Sequence, residues 1–258
     1  GVAGNFSCLE IGRGVYAVIR DDPPGLMCDG NCGFIINADH VVVVDAPESS
    51  AAVIAALKKI TDKPVRFVIN THWHDDHIIG NQLYRRNYPG VVFIAHENTR
   101  AYLPGQGLAN RQGMLKTAPE GLAYIRKLLE KNESLAGGPL GAEERESLQS
   151  DVRLVEQYLD IVPGAEIVLP DRTVADSLVL SAGGRTIVVR HLGRGHSAGD
   201  IVVHVPEEGV LFSGDLVIGP VPLVGRDQSY VLEWSATLER LLALRPRRIV
   251  PGHGRVLR

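Results

Sequence analysis

VRFVINTHWHDDHIIGN, residues 65–81, is an apolar run that ends in three histidines and two aspartates within six positions. Its first six residues have the β-branched and aromatic character of a buried strand. The polar remainder then sits at the strand's carboxyl end, where open α/β sheets present their ligands. In an extended or turning segment, residues two apart project the same way, so His72 and His74 can share one partner. Asp76 and His77 continue around the turn towards a second. Imidazole suits zinc and similar first-row ions, and carboxylate can join it. A chain with nine histidines in 258 residues that spends three here is read as building a metal site.

Upstream, GVYAVIR (14–20), GFIIN (33–37) and HVVVVDA (40–46) are further strands punctuated by Gly, Pro and Asp. Between HVVVVDA and VRFVIN, PESSAAVIAALKKI (47–60) opens with helix-start residues and repeats apolar positions at helical spacing. Strand, helix, strand is a layered α/β pattern. From about 97 to 161 the chain is charged and helix-prone, through HENTRAYL, APEGLAYIRKLLEKNESL and AEERESLQSDVRLVEQYLDIV, with a break at GGPLG (137–141). Its charges are expected to form an exposed face. Strands return as EIVL (166–169), LVLSA, RTIVVRHL, DIVVHVP and GVLFSGD, with SAGGRT as a tight hairpin turn. A final helix, LEWSATLERLLAL, leads into RRIV and then PGHG. Residues 1–258 read as one domain of two similar halves, each beginning with strands and closing with a helix.

Three later fragments repeat the logic of the first. GRGHSAGD (193–200) places His196 in a Gly-flanked turn, LFSGDLV (211–217) puts Asp215 at a strand end, and IVPGHG (249–254) does the same for His253. Each is a strand, a turn and a candidate ligand, which is how a rigid scaffold presents a metal on loops. His72, His74 and His196 suit one ion, Asp76, His77 and His253 another, and Asp215 is left as a bridge. Seven ligands with open positions for water describe a two-metal hydrolytic centre.

HxHxDH, followed in order by GHSAGD, SGD and PGHG across residues 43–254, resembles the metallo-β-lactamase superfamily. The resemblance implies an α/β (α+β) fold of the αββα type: two facing mixed β-sheets flanked by helices, with metals at one edge. It implies two zinc ions, with iron or manganese as alternatives, and a role for Asp45 in orienting a metal-binding histidine. It further implies that Asp76 ligates one ion and aims an attacking hydroxide at an ester- or amide-like carbonyl.

True β-lactamases of the family's first subclass carry Cys where Asp215 stands, Arg or Ser where His77 stands, and a Lys three residues after that Cys. Here position 218 is Ile. The second half nevertheless keeps the loop rhythm of that subclass, while the bridging Asp resembles glyoxalase II and the acyl-homoserine lactonases. A β-lactamase-like hydrolase with weak β-lactam turnover, a lactonase or a thioesterase all fit. A di-iron redox protein is a rival reading, although the flavin segment such proteins use is not evident. A non-catalytic binding module would have lost ligands, and all seven are present.

Trp73 either walls the pocket or packs under the metal loop, and Arg226 either anchors a substrate anion or is a solvated loop residue. His96 is expected to cap the following helix, with His40, His191 and His204 as ordinary residues. The sequence ends four residues after PGHG, where members of the resembled family continue into a further helix.

Composition bounds the partners. With 45% hydrophobic and 22% charged residues and a net charge of −3, there is no basic excess to recruit nucleic acid, and no apolar run is long enough to cross a bilayer. A small-molecule substrate is expected; the oligomeric state stays open. Cys28 and Cys32 are spaced closely enough to consider a disulfide, as in a periplasmic protein, but three independent structural thiols is the favoured reading. A periplasmic and a cytoplasmic address both remain open.

Overall fold

The computed structural model describes residues 5–26, 29–182, 184–220, 222–225 and 228–258. The first sheet is built in chain order from β1 (Phe6–Gly12), β2 (Val15–Arg20), β3 (Cys32–Ile36), β4 (Val41–Val44), β5 (Val65–Ile69), β6 (Val92–His96) and β7 (Arg172–Val174). It is antiparallel from β1 to β4 and parallel from β4 to β7. The second sheet runs in the order β12 (Arg248–His253), β11 (Val210–Ile218), β10 (Val202–Val205), β9 (Arg185–Arg190) and β8 (Ser177–Ala182), with only the β11–β12 pair parallel. Both sheets are therefore mixed.

Alternation along β4 explains the layering. Val42 and Val44 point into the space between the sheets, against Ile187, Val189, Val203 and Phe212 of the second sheet. Val41 and Val43 point the other way, under α1 (Ser50–Ile60) and α3 (Asn81–Asn87), where they meet Val53, Ile54, Leu57 and Tyr84. All four valines are buried, because a strand covered on both faces is apolar at every position. Each such side chain contributes about 1.5–3 kcal/mol of burial free energy. On the far side, Trp234 and Leu241 of α7 (Val231–Ala243) cover Val202, Leu211 and Leu216. Helix, sheet, sheet, helix is the order the family resemblance implied.

The remaining helices are α2 (Asp75–Ile78), α4 (Glu97–Tyr102), α5 (Leu108–Lys131) and α6 (Ala142–Ile161), with a π-helical turn at Leu103–Gly107 joining α4 to α5. Two expectations change. EIVL is not a strand: Ile167 packs towards Trp73 and Val168 into the core beneath β6, and the sheet edge is taken instead by β7. Its apolar residues are there to pack, not to pair. The helical segment is also more than a solvated face, since Arg111 of α5 and Asp151 of α6 are 5% and 1% exposed. His96 caps α4 as expected, its Nδ1 accepting from the Asn98 N–H at 3.0 Å. Cys8 and Cys32 are free thiols, while Cys28, and with it the considered pairing, lies outside the described residues.

Candidate metal centre

The candidate ligands converge at one edge of the sandwich. Asp45 follows β4, THWHDDH follows β5, His196 lies between β9 and β10, Asp215 interrupts the β11–β12 register, and His253 closes β12. The two halves approach closely there. At Gly214 (φ 50°) a side chain would collide with Thr71 Oγ1, so the residue before Asp215 has to be glycine on both conformational and steric grounds.

Two groups form, divided as the sequence implied. His72 Nε2 lies 3.1 Å from His74 Nδ1, which lies 2.8 Å from His196 Nε2. Asp215 Oδ2 completes this group, 3.3 Å from His196 Nε2 and 3.8 Å from His72 Nε2. In the second group, Asp76 Oδ2 lies 3.4 Å from His77 Nε2 and 3.2 Å from His253 Nε2, and the two imidazoles are 3.3 Å apart. Asp215 Oδ1 faces this group, at 3.1 Å from His77 Nε2 and 3.5 Å from His253 Nε2. One carboxylate thus addresses both groups. Donors bound tetrahedrally at zinc–nitrogen distances stand about 3.3 Å apart, close to these separations.

The outward hydrogen bonds fix what the inward atoms carry. His77 Nδ1–H donates to Asp45 Oδ2 at 2.9 Å. The Thr71 hydroxyl donates to the same oxygen at 2.8 Å, so it accepts from His72 Nδ1–H at 3.1 Å. His196 Nδ1–H donates to the Leu223 carbonyl and His74 Nε2–H to Gln228 Oε1, each at 3.0 Å. In the neutral rings of His72, His74 and His196, an outer nitrogen that carries the proton leaves the inner nitrogen with a lone pair. Three such nitrogens crowd the first group with no proton between them, and Asp215 Oδ1 is buried without a hydrogen-bond partner. Facing lone pairs repel; a cation between them removes the conflict. The residues present therefore fit metal ions, and the four side chains of the first group and three of the second could hold them.

Charge follows the same division. Burial drives His72 well below the ordinary imidazole range and His196 down to about 4. Burial also opposes the charge on Asp215, but His253, His77, His196 and His72 outweigh it and hold that carboxyl well below its usual range. His77 is the exception among the rings: burial works against its charge, yet Asp215, Asp76 and Asp45 raise it well above normal. The neutral rings of the first group offer their lone pairs to a cation, and in the second group the proton on His77 is one that a divalent ion would replace.

Asp45 sits at φ 61°, a conformation non-glycine residues seldom adopt. From there it accepts from the Thr71 N–H at 2.7 Å, from the Thr71 hydroxyl and from His77, tying both groups to one buried carboxylate. Thr71 and Gln228 were missed in the sequence; the first adjoins the motif, and the second carries no local signal. Trp73 is 2% exposed and packs with Ile78 and Leu103 beneath the loop, its ring 4.3 Å from that of His74. The packing alternative is the one the geometry matches. Arg226 lies outside the described residues.

A family model described as the metallo-beta-lactamase superfamily matches residues 26–253. The linear primary-alkylsulfatase of Pseudomonas sp. is 26% identical over 235 residues, which cover 84% of this chain and 40% of that protein. The metallo-beta-lactamase type 2 of Bacteroides fragilis is 31% identical over 121 residues, 45% of this chain and 48% of the relative. The chain thus spans less than half the length of both. Among solved structures, metallo-beta-lactamase IND-7 superposes with a TM-score of 0.64 at 20% identity, covering 97% of this chain and 91% of its own, a likeness of fold. Among the described residues no helix is long and apolar enough to cross a membrane.

Proposed function

This chain belongs to the metallo-β-lactamase superfamily, and on that premise we propose that it is a zinc-dependent hydrolase of ester- or amide-like carbonyl compounds. The observation that carries the reading is the inward set of imidazole nitrogens and carboxylate oxygens, divided into two groups that Asp215 faces together. Two zinc ions held there would supply Lewis acidity and a water acidic enough to deprotonate near neutral pH. His72, His74, His196 and Asp215 would hold the first, and Asp76, His77, His253 and Asp215 the second.

The protein's own groups do the rest. Asp76 uses one carboxylate oxygen as a donor and leaves the other to accept a hydrogen bond from the attacking water, orienting it towards the carbonyl carbon. Asp45 and Thr71 keep the rings of His72 and His77 turned inward. Leu223, whose carbonyl fixes His196, is 45% exposed, and Val224 beside it is 55% exposed. Apolar residues that close to the centre suit a substrate with an apolar body.

A sulfate ester of an alkyl chain is a second reading, supported by the alkylsulfatase relative, whose match spans most of the chain. The experiment is one panel on one sample: a chromogenic ester, a lactone, a thioester, a cephalosporin and an alkyl sulfate, with zinc stoichiometry measured in parallel. Carbonyl hydrolysis that rises with bound zinc and vanishes with chelator is expected. Cleavage of the alkyl sulfate alone selects the second reading, and an inert protein carrying its full zinc complement contradicts both.

A further inference from the structure

The helical segment reaches the loop after β5 through a guanidinium and a phenol. Arg111, in the first turn of α5, grips Asp75 as a fork: Nη2–H donates to Oδ1 at 2.6 Å, and Nε–H donates to Oδ2 at 3.0 Å and Oδ1 at 3.1 Å. Its remaining arm, Nη1–H, donates to the Ala165 carbonyl at 3.0 Å. From α6, the Tyr158 hydroxyl donates to Asp75 Oδ2 at 3.2 Å. A planar fork meeting a carboxylate in a desolvated setting is geometrically strict, and lysine does not reproduce it.

Asp75 stands between His74 and Asp76, which belong to different donor groups. Four of the imidazole donors are steadied by hydrogen bonds of their outer nitrogens: His72 by Thr71, His77 by Asp45, His74 by Gln228 and His196 by the Leu223 carbonyl. Asp76 is not held in that way. Among the described residues its carboxylate meets only His77 and His253, themselves donors, and its backbone carbonyl accepts from the Gly30 N–H at 3.3 Å. The place of its side chain is therefore set by the backbone of α2, a single turn too short to sustain itself. The polar side chain that ties that turn to α5 and α6 is Asp75, beside the apolar packing of Ile79 on Met114, Leu115 and Tyr158.

We propose that Arg111 is a positioning residue of the metal centre, which clamps Asp75 so that Asp76 is presented to the second ion. This rests on the dinuclear reading above. It gives the helical segment a task that the sequence did not suggest: its packing is converted into the spacing between the two donor groups.

The test is a metal titration, not an assay of turnover. Wild-type protein and the variants Arg111→Met, Arg111→Lys and Tyr158→Phe are stripped with chelator and titrated with zinc by equilibrium dialysis, and with Co2+ by visible absorption. In Arg111→Met the second ion is expected to bind about 10–100-fold more weakly while the first keeps its affinity, the range usual for losing a group that orients a ligand. The Co2+ band of the second site should shift or disappear with it. Arg111→Lys should recover part of the loss, because charge returns without the fork, and Tyr158→Phe should lose least.

Arg111→Met with both affinities and the Co2+ spectrum of the wild type overturns the proposal, even if its melting temperature falls, because Arg111 would then only pack. Should that variant fail to fold, wild-type second-ion affinity in both Arg111→Lys and Tyr158→Phe overturns it equally. A wild-type protein that accepts only one ion refutes the dinuclear reading itself, before any substitution is made.

Discussion

The two sheets contribute to the centre in different ways. The first sheet supplies His72, His74, Asp76 and His77 from one loop and one helical turn after β5. Those residues are oriented largely by side chains, with Asp45 and Thr71 at the root. The second sheet supplies His196, Asp215 and His253 from three separate places, fixed by main chain: a carbonyl from the 222–225 loop, an irregular stretch of β11, and the end of β12. One side of the site is a motif, and the other is a consequence of topology. Side-chain anchoring should therefore respond in graded steps to substitution, and topological anchoring abruptly.

Asp215→Ala is the severest challenge to this contrast, because it removes the one group both donor sets share. Metal content should fall to one ion or fewer per chain and hydrolysis to background, read by stoichiometry and turnover on the same sample. A variant retaining two ions would show that the carboxylate facing both groups is dispensable for metal binding. Asp76→Ala comes next, with turnover falling about 10²–10⁴-fold, as for the loss of a group that handles the transferred proton. The ion held by His72, His74 and His196 should stay bound. Unchanged turnover at full metal content would remove Asp76 from the mechanism.

Asp45→Asn sharpens the comparison, since it keeps the shape of the anchor and removes its charge. Affinity at both donor groups should drop together, by about 10–100-fold; a loss confined to the His77 side would mean that the Thr71 relay to His72 does not matter. Gln228→Ala, touching only the outer nitrogen of His74, should cost about tenfold or less in first-ion affinity.

Acidity gives the mildest effect. In chelated protein, His72 is held well below its usual value and His196 at about 4, against an ordinary imidazole value of 6.5, both chiefly by burial. The folded chain then binds fewer protons than the unfolded one between those limits, so its stability is intact above about 6.5 and is lost as pH falls towards 4. His77, raised by its three carboxylates against the pull of burial, acts in the opposite sense and softens the decline. Thermal melts of the chelated protein at pH 7 and pH 5 should show a lower transition at pH 5, and His196→Asn should flatten the difference.

How much could be read beforehand follows the same division. THWHDDH is legible because its candidate ligands are neighbours after a strand, and the two sets of side chains grouped from the sequence lie together in the fold. The later strands that carry His196, Asp215 and His253 were visible as apolar runs, whereas EIVL, equally apolar, packs as coil because β7 already occupies the sheet edge. Composition registers burial but not which backbone offers a hydrogen-bonding partner. The edge strands β1 and β7 and the single turn α2 carry no such signal for a related reason, since each is fixed by neighbours and not by its own propensity.

Residue order alone determined which donors exist, how they divide, and the layered α/β scaffold, because strand periodicity and ligand chemistry are local properties. Only the folded molecule decided which nitrogen of each imidazole faces inward, that Asp45 serves both donor groups, and that Arg111 reaches from the helical segment to Asp75. Apart from the Thr71–His72 contact between neighbours, those contacts span 26 to 154 positions of chain. They come into being only once burial of the core has brought the elements together, and no local pattern encodes them.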